Sequence, residues 1–146
     1  MPDAPREDDL GALFARITRR LIAAEEPILE RHGLTMWEYI ALTRVARGPD
    51  GNQLALAKAI HYDKTRLVRL LDKLEAEGLV ARAADPADRR SYLVRITPAG
   101  RRRHAAVVKD IRAMEDELLA ALPAKERAAL PGALARLASG PSGDEA

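Results

Sequence analysis

The sequence contains no cysteine, few aromatic side chains (3% of its residues) and no long apolar run. Without cysteine, the chain cannot build a disulfide scaffold, a thiolate zinc site, a cysteine nucleophile or a thiol-based redox sensor. No apolar run approaches the ~18 residues that a membrane-spanning helix needs. Residues 1–9 are acidic and lack the basic-then-apolar order of a signal peptide. We therefore expect a soluble, cytoplasmic protein without a membrane partner.

The sequence does contain enough apolar material for the core of one domain. Its 146 residues match the length of a single domain, and 47% of them are hydrophobic, too many for a disordered chain. Alanine, leucine and arginine dominate, which favours helices over a β-sandwich. We predict a single domain over residues 1–146 that is mainly α.

A small net charge of +2 hides a strong partition of charge along the chain. Residues 51–103 carry 12 basic and 6 acidic side chains, whereas residues 1–50 carry 7 and 9, and residues 104–146 carry 5 and 7. A basic centre between mildly acidic flanks is typical of a module that binds a polyanion, with another role for the flanks. The alternative is chance clustering of charge on a solvated surface.

Hydrophobic periodicity and capping residues predict four helices in the first half of the chain. An apolar stripe from Leu10 to Ile28 defines the first, and Pro27 should bend this helix or end its first part. Thr35 and Asp63 are suitable N-caps, because their side-chain oxygens can accept hydrogen bonds from first-turn amides. The later helices are predicted over 36–47, 53–60 and 64–77, with a turn over 50–52 and a stop at Gly78.

A β-hairpin with a charged tip is predicted next. Strand-like segments over 79–83 and 92–96 flank a polar turn over 85–90, and the second segment shows the two-residue period of a half-buried strand. The fold class is therefore α+β, mainly helical with one small hairpin.

Two further helices follow the hairpin. Thr97 followed by Pro98 is a preferred helix start, and this helix should run to about Leu122 with Val108 and Ile111 on its apolar stripe. A last helix is predicted over 124–138.

Two helices, the capped helix over 64–77 and a hairpin with a basic tip follow one another in the order of a winged helix-turn-helix. On the helix over 64–77, four leucines share one face, and at 100° per residue Thr65 and Arg69 project almost opposite that face. Lys64, Thr65 and Arg66 occupy the first turn, where a recognition helix meets base edges and phosphate. Arg69 is one turn further along and can reach a guanine edge. The alternative is a solvated helix face that happens to be basic.

The hairpin tip gives a second, independent signal. Arg89 and Arg90 on a narrow turn can enter the minor groove of DNA. Asp88 would repel phosphate unless it orients an arginine, so we interpret it as a brace for the tip. Asp72 also lies on the outward side of the helix over 64–77, and we predict a salt bridge between it and Arg69, three residues before it.

Three segments resemble the MarR family of bacterial regulators: residues 56–80 (LAKAIHYDKTRLVRLLDKLEAEGLV), 85–90 (DPADRR) and 93–100 (LVRITPAG). The resemblance covers residues 34–103, and the flanking helices agree in placement and length. The family's Asp-x-Arg wing pattern falls on Asp88 and Arg90, and its recognition-helix arginine falls on Arg69. One departure is His61, where the family usually has a glycine.

The resemblance implies a homodimeric winged-helix repressor that releases operator DNA when a small molecule binds. The winged-helix lobe would span 34–97, and the dimerisation helices would span 8–32 and 98–138. The apolar stripes of these outer helices need a partner, which a symmetric dimer supplies, although an intramolecular bundle is the alternative.

Small aromatic acids lodge in this family between the dimerisation helices and the DNA-binding lobe. Trp37, Tyr39 and Met36 in the first turn of the second helix are therefore candidates for an effector site. Packing in the core or at an interface is the alternative role for Trp37.

Nothing in the sequence supports catalysis or a cofactor. His32, His61 and His104 are widely separated and lack partners at metal-ligand spacing, and there is no glycine-rich phosphate loop or nucleophile elbow. We predict no enzyme activity, no metal and no cofactor. The predicted function is a repressor that binds a pseudo-palindromic operator as a homodimer and is released by a small aromatic carboxylate. The alternative is an architectural or protein-interaction module without a ligand response.

Overall fold

The computed structural model describes residues 8–48 and 52–140, so the predicted turn over 50–52 lies partly outside the described residues. Within them, six helices and one two-stranded antiparallel sheet confirm the mainly helical α+β prediction. None of the described helices is long and apolar enough to cross a membrane. In chain order the elements are α1 (Leu10–Arg31), α2 (Met36–Ala46), α3 (Gln53–Ala59), α4 (Lys64–Ala76), β1 (Val80–Asp85), β2 (Asp88–Ile96), α5 (Pro98–Leu119) and α6 (Ala124–Ser139).

The predicted N-caps form as expected because they are local. The Thr35 hydroxyl accepts a hydrogen bond from the Glu38 amide, and the Glu38 carboxylate accepts one from the Thr35 amide, which completes a capping box. The Asp63 carboxylate accepts a hydrogen bond from the Arg66 amide at 2.8 Å. The Thr97 hydroxyl accepts one from the Gly100 amide at 3.0 Å and so caps α5.

The chain divides into two compact units, residues 1–111 and 112–146. The first unit contains the buried core, to which α1 to α5 and both strands of the hairpin contribute. The second unit comprises the end of α5 and all of α6, and its described part contains no buried residue. The largest fully buried side chains are Leu29, Leu42, Leu67, Leu71, Leu74, Leu79, Val80 and Val107.

Pro27 does not end α1, which continues to Arg31. Proline removes one amide donor, so the carbonyl of Ala23, four residues earlier, loses its helical partner. Because Ala23 is exposed, water can take the place of that donor. The proline therefore costs less here than it would inside the core.

The hairpin is longer than predicted, and this corrects the position of its arginines. β1 extends to Asp85 and β2 begins at Asp88, which leaves a two-residue turn instead of the predicted turn over 85–90. Arg89 and Arg90 therefore lie on β2. At the base of the hairpin, a side chain at Gly100 would collide with the Leu79 carbonyl oxygen, so only glycine lets α5 begin this close to β1.

The apolar stripe of α5 differs by one position from the prediction. Val107 is fully buried and Ile111 nearly so, whereas Val108 is half-buried. The helix ends at Leu119, before the predicted limit of Leu122.

Candidate nucleic-acid interface

The α4 helix presents a basic, exposed face opposite its buried leucines. Leu67, Leu71 and Leu74 are fully buried, which fixes the rotation of the helix in the lobe. The predicted contact residues therefore all face solvent, and among the described residues none of the three cations forms an ion pair. These contact residues are Lys64, Thr65, Arg66 and Arg69.

The arginines of β2 are also exposed, and local hydrogen bonds shape the backbone that carries them. The Asp88 carboxylate accepts a hydrogen bond from the Arg90 amide at 3.0 Å. The Asp85 carboxylate accepts one from the Ala87 amide at 2.9 Å, across the turn. Asp88 thus orients the backbone before Arg90, as an acidic brace would, and it leaves the Arg89 and Arg90 side chains exposed.

The prediction that Asp72 pairs with Arg69 is wrong, because Asp72 pairs with Arg82. The Arg82 guanidinium lies 2.5 Å from the Asp72 carboxylate and 3.1 Å from that of Glu75. Arg82 projects from β1 onto α4, a contact between segments that a three-residue helical spacing does not predict. Asp72 therefore links α4 to the hairpin, and Arg69 takes no part in this ion pair.

Arg82 is mostly enclosed by its partners. Its amide also donates to Glu75 at 3.0 Å, and its guanidinium donates to the Gln53 side chain at 3.3 Å and lies 5.9 Å from the Tyr92 ring centroid. Hydrogen bonding to Glu75 raises the pKa of Arg82, and the same hydrogen bond lowers the pKa of Glu75. The guanidinium is thus held in place by acceptors from α3 and α4 together with an aromatic ring of β2.

A second ion pair ties α4 to α2. The Lys73 ammonium lies 2.7 Å from the Glu38 carboxylate, and Glu38 is only 4% exposed. Hydrogen bonding to Glu38 raises the pKa of Lys73. Glu38 therefore has two partners, the amide of Thr35 at the start of α2 and the side chain of Lys73.

The three aromatic-site candidates of α2 are placed differently from one another. The ring of Trp37 packs on Tyr62 with centroids 4.4 Å apart and keeps an exposed edge. Met36 is half-buried. Of the three, Tyr39 lines the pocket described next, and Met36 and Trp37 are not among its lining residues.

The pocket that Tyr39 lines lies between α2 and the end of α3 and has a volume of about 300 Å³. Apolar side chains form part of its wall, and two arginines of α2 and one histidine add polar groups. Sequence reasoning missed those arginines, since their spacing on α2 is informative only once the facing segment is known. The lining residues are Tyr39, Ile40, Thr43, Arg44, Arg47, Ala59, Ile60 and His61.

Two of the histidines contact side chains of other helices. His32 lies 2.7 Å from the Asp110 carboxylate, and this hydrogen bond lowers the pKa of Asp110. His104 lies 3.0 Å from the Thr43 hydroxyl and stacks on Tyr39, and burial lowers its pKa. In residues 8–48 and 52–140, no group of three or more histidine and acidic side chains could hold a metal ion.

Sequence comparison finds relatives of the same kind. The profile of the MarR family matches residues 32–91. A transcriptional regulatory protein for the hcr operon of Thauera aromatica is 33% identical in an alignment of 131 residues that covers 87% of this chain and 79% of that protein.

Structural comparison gives the same family. A crystal structure of MarR matches with a TM-score of 0.82 and 29% identity, covering 94% of this chain and 93% of the other. The transcriptional repressor CouR, bound to a 23-mer DNA duplex, matches with a TM-score of 0.74 and 30% identity, covering 89% and 92%. CouR from Rhodococcus jostii RHA1 with bound p-coumaroyl-CoA matches with a TM-score of 0.73 and 28% identity, covering 94% and 98%.

The matches to these proteins are consistent with the fold of this chain. In it, a capped helix with an exposed basic face precedes a two-stranded wing. The chain therefore belongs to the MarR family of winged-helix transcriptional regulators, and it is a regulator and not an enzyme.

Proposed function

We propose that this protein is a repressor that binds a pseudo-palindromic DNA operator as a homodimer in the cytoplasm and releases it when a small aromatic acid binds. The observation that carries the proposal is the α4 helix, whose leucine face is buried while its first turns expose three cations. The solved complex of CouR with a DNA duplex supports the same use of this fold.

In the proposed complex, α4 enters the major groove and the hairpin reaches the minor groove. Lys64, Thr65 and Arg66 lie at the helix N-terminus, which favours contact with phosphate and base edges. Arg69 can donate two hydrogen bonds to guanine, a contact worth ~1–3 kcal/mol of discrimination. Arg89 and Arg90 on β2 supply the minor-groove cations, with Asp88 as their brace.

The homodimer is proposed from apolar surface that the single chain leaves exposed. Leu10, Phe14 and Ile17 lie on one face of α1 at helical spacing, and Phe14 is 44% exposed. In the second unit, Leu134 and Leu137 of α6 are likewise exposed, and Leu137 reaches 69%. We assign dimerisation to residues 8–32 and 98–138, and DNA binding to the lobe 34–97.

The effector site is proposed at the pocket between α2 and α3. Tyr39, Ile40 and Ile60 offer an apolar surface for an aromatic ring, and the guanidinium groups of Arg44 and Arg47 can bind a carboxylate. CouR with bound p-coumaroyl-CoA shows an aromatic acyl ligand on a related chain. Because Met36 and Trp37 do not line this pocket, Trp37 serves as a nearby fluorescent reporter.

The DNA-binding half is tested with duplexes that the wild-type protein selects from a random-sequence library. Arg69→Ala should lower the ratio of selected to random DNA affinity by roughly 5- to 150-fold per half-site, because a base contact is lost in each protomer. Arg90→Ala should weaken binding chiefly at A·T-rich flanks, where the minor groove is narrow. If Arg69→Ala leaves the affinity ratio unchanged, or the wild type selects no sequence, the architectural alternative is favoured.

The dimer is tested by light scattering at micromolar concentration. The wild type should scatter as about twice 16.0 kDa, and Phe14→Glu should shift it toward the monomer because it places a charge in the apolar face. Lys58→Glu, an exposed change on α3 outside the dimerisation segments, is the matched control. A monomeric wild type would contradict the dimer.

The ligand half is tested by titrating salicylate-like acids while Trp37 fluorescence and DNA release are recorded. Release of DNA by a factor of ~100 needs ~3 kcal/mol of coupling, and operator DNA must then weaken acid binding by the same factor. Arg47→Gln should weaken the binding of the acid more than it weakens the binding of DNA. An acid that releases DNA but binds free and DNA-bound protein equally would refute the coupling.

A further inference from the structure

Arg82 ties the hairpin to α4 through ion pairs and hydrogen bonds, in addition to the buried Val80 and Val94. It lies on β1, its side chain is only 15% exposed, and its guanidinium contacts Asp72 and Glu75 of α4. The same guanidinium donates to Gln53 of α3. One side chain of the hairpin thus contacts two helices of the lobe.

The acceptors on α4 are acidic and exposed, on the helix that is proposed to enter DNA. Unpaired, Asp72 and Glu75 would repel phosphate and would oppose the cations of the first turns. Arg82 pairs with both carboxylates and offsets one of their two negative charges, and hydrogen bonding to Arg82 lowers the pKa of Glu75. The contact therefore has an electrostatic and a geometric consequence at once.

The geometric consequence concerns β2, which is paired with β1 along its length. Arg82 stands opposite Val94 in the register, and its guanidinium also lies 5.9 Å from the Tyr92 ring of β2. Tyr92 is only two residues after Arg90, so a side chain that fixes β1 on α4 also fixes the strand that carries the groove arginines.

We propose that Arg82 is a positioning residue, which holds the hairpin in the one orientation relative to α4 that lets Arg89 and Arg90 reach the minor groove. The proposal rests on the proposed DNA-binding function and deepens it. Arg82 itself is enclosed by protein partners, so it acts on DNA through the wing.

A double-mutant cycle between Arg82 and Arg90 tests this role on the full-length protein. The probe is a duplex with A·T-rich flanks that the wild-type protein selects from a random-sequence library. Affinity is measured at several salt concentrations for the wild type, Arg82→Gln, Arg90→Ala and the double variant. Arg95→Gln, which removes an exposed cation from β2, the strand that carries Arg90, replaces Arg82→Gln in a matched control cycle.

In the wild-type background, Arg90→Ala should weaken binding and reduce the salt slope of the dimer by ~2, because one phosphate or groove contact is lost in each protomer. In the Arg82→Gln background, the same change should cost at least about threefold less, since the wing no longer delivers Arg90. In the Arg95→Gln background, the cost of Arg90→Ala should be that of the wild type.

An equal cost of Arg90→Ala in the wild-type and Arg82→Gln backgrounds would overturn the proposal while leaving DNA binding intact. If the wild-type protein selects no duplex, the proposed function itself fails and this inference falls with it. If circular dichroism shows that Arg82→Gln is unfolded, Asp72→Asn combined with Glu75→Gln removes the two negative charges that pair with Arg82 instead. That variant should show the same loss of coupling, and full retention of the Arg90 effect would refute the role of Arg82.

Discussion

Replacing His61 with glycine should stabilise the folded protein, although the change removes a side chain. His61 has a φ of 52° and is the one non-glycine residue with positive φ within residues 8–48 and 52–140. It follows the C-cap of α3, where the Tyr62 amide donates to the Ala57 carbonyl at 2.9 Å and the His61 amide donates to Lys58 at 3.2 Å. These two bonds define a Schellman motif, whose left-handed position is usually glycine.

The chain contains its own comparison for this position, because α4 ends in the same motif with glycine. Gly78 has a φ of 73°, and the Leu79 amide donates to the Leu74 carbonyl at 2.9 Å. A side chain at Gly78 would have nothing within 4 Å, so Gly78→Ala would measure backbone strain alone. The two helix ends thus differ mainly in which residue occupies the left-handed position.

The magnitude follows from two opposing contributions. The left-handed conformation costs an L-residue roughly 1–2 kcal/mol, whereas glycine loses about 0.5–1 kcal/mol more backbone entropy on folding than alanine does. His61→Gly should therefore raise the free energy of unfolding by about 0.5–1 kcal/mol, or about 1–4 °C in Tm. Gly78→Ala should lower the free energy of unfolding by a similar amount.

Urea and thermal unfolding of both variants at one protomer concentration would measure these changes, since the stability of a dimer depends on concentration. His61→Ala is the control, because it removes the imidazole but keeps the strained backbone. If His61→Gly is no more stable than His61→Ala, the strain argument fails at this turn. If Gly78→Ala costs nothing, it fails for the motif as a whole.

Three further predictions concern charged groups of the first unit. Lys73→Met should lower the free energy of unfolding in urea by about 1–3 kcal/mol, a value between those of an exposed and a buried ion pair. Adding Glu38→Gln should recover part of this loss, and additive losses in the double variant would contradict the pairing. Burial lowers the pKa of His104, so folding favours its neutral form and stability should fall as pH drops below 6.5; His104→Gln should flatten this dependence, and an unchanged profile would refute it. The pKa of Asp110 is lowered from 3.8, so the stability it contributes is present above that pH and is lost as pH falls through the folded-state pKa; Asp110→Asn should be less stable than the wild type at pH 7 but should match it in strong acid.

The helix limits could be predicted from the sequence because the signals that set them are local. Thr35, Asp63 and Thr97 each cap a helix by bonding to an amide three residues ahead, so the sequence contains both partners. Gly78 ends α4 for the same kind of reason, through its own positive φ. Such contacts depend little on the rest of the fold.

The hairpin tip and the Asp72 pair could not be predicted, because they depend on which strand faces which residue. Polar residues on both faces of a strand end hide the two-residue period, so the extension of β2 to Asp88 left no pattern in the sequence. Asp72 had one cation within helical reach, Arg69, and a closer one ten positions away on β1. Helical spacing predicted the wrong arginine, because the position of Arg82 beside Asp72 depends on how the hairpin packs on α4 in the folded chain.

The buried face of α5 and the position of the pocket also could not be predicted from local sequence patterns. Over a helix of 22 residues, several faces fit an apolar stripe nearly as well, and the packing partners selected Val107 over Val108. The pocket requires α2 and the end of α3 to face each other, so Arg44 and Arg47 gained a candidate role only from the fold. The family resemblance predicts Tyr39 at an aromatic site, and its neighbours Met36 and Trp37 are not among the residues that line this pocket.

The contacts of α2 explain how a ligand in that pocket could act on DNA. Through Trp37 against Tyr62 and Glu38 with Lys73, this one helix holds the turn before α4 and the outer face of α4. The opposite end of α2 contributes Arg47 to the pocket, where His61 of the same turn is also present. A ligand that changes the separation of α2 and α3 must therefore strain both contacts to α4, while Arg82 keeps the wing attached to α4. Recognition helix and wing would then leave the grooves together, so that one small displacement at α2 weakens the major-groove and minor-groove contacts at the same time.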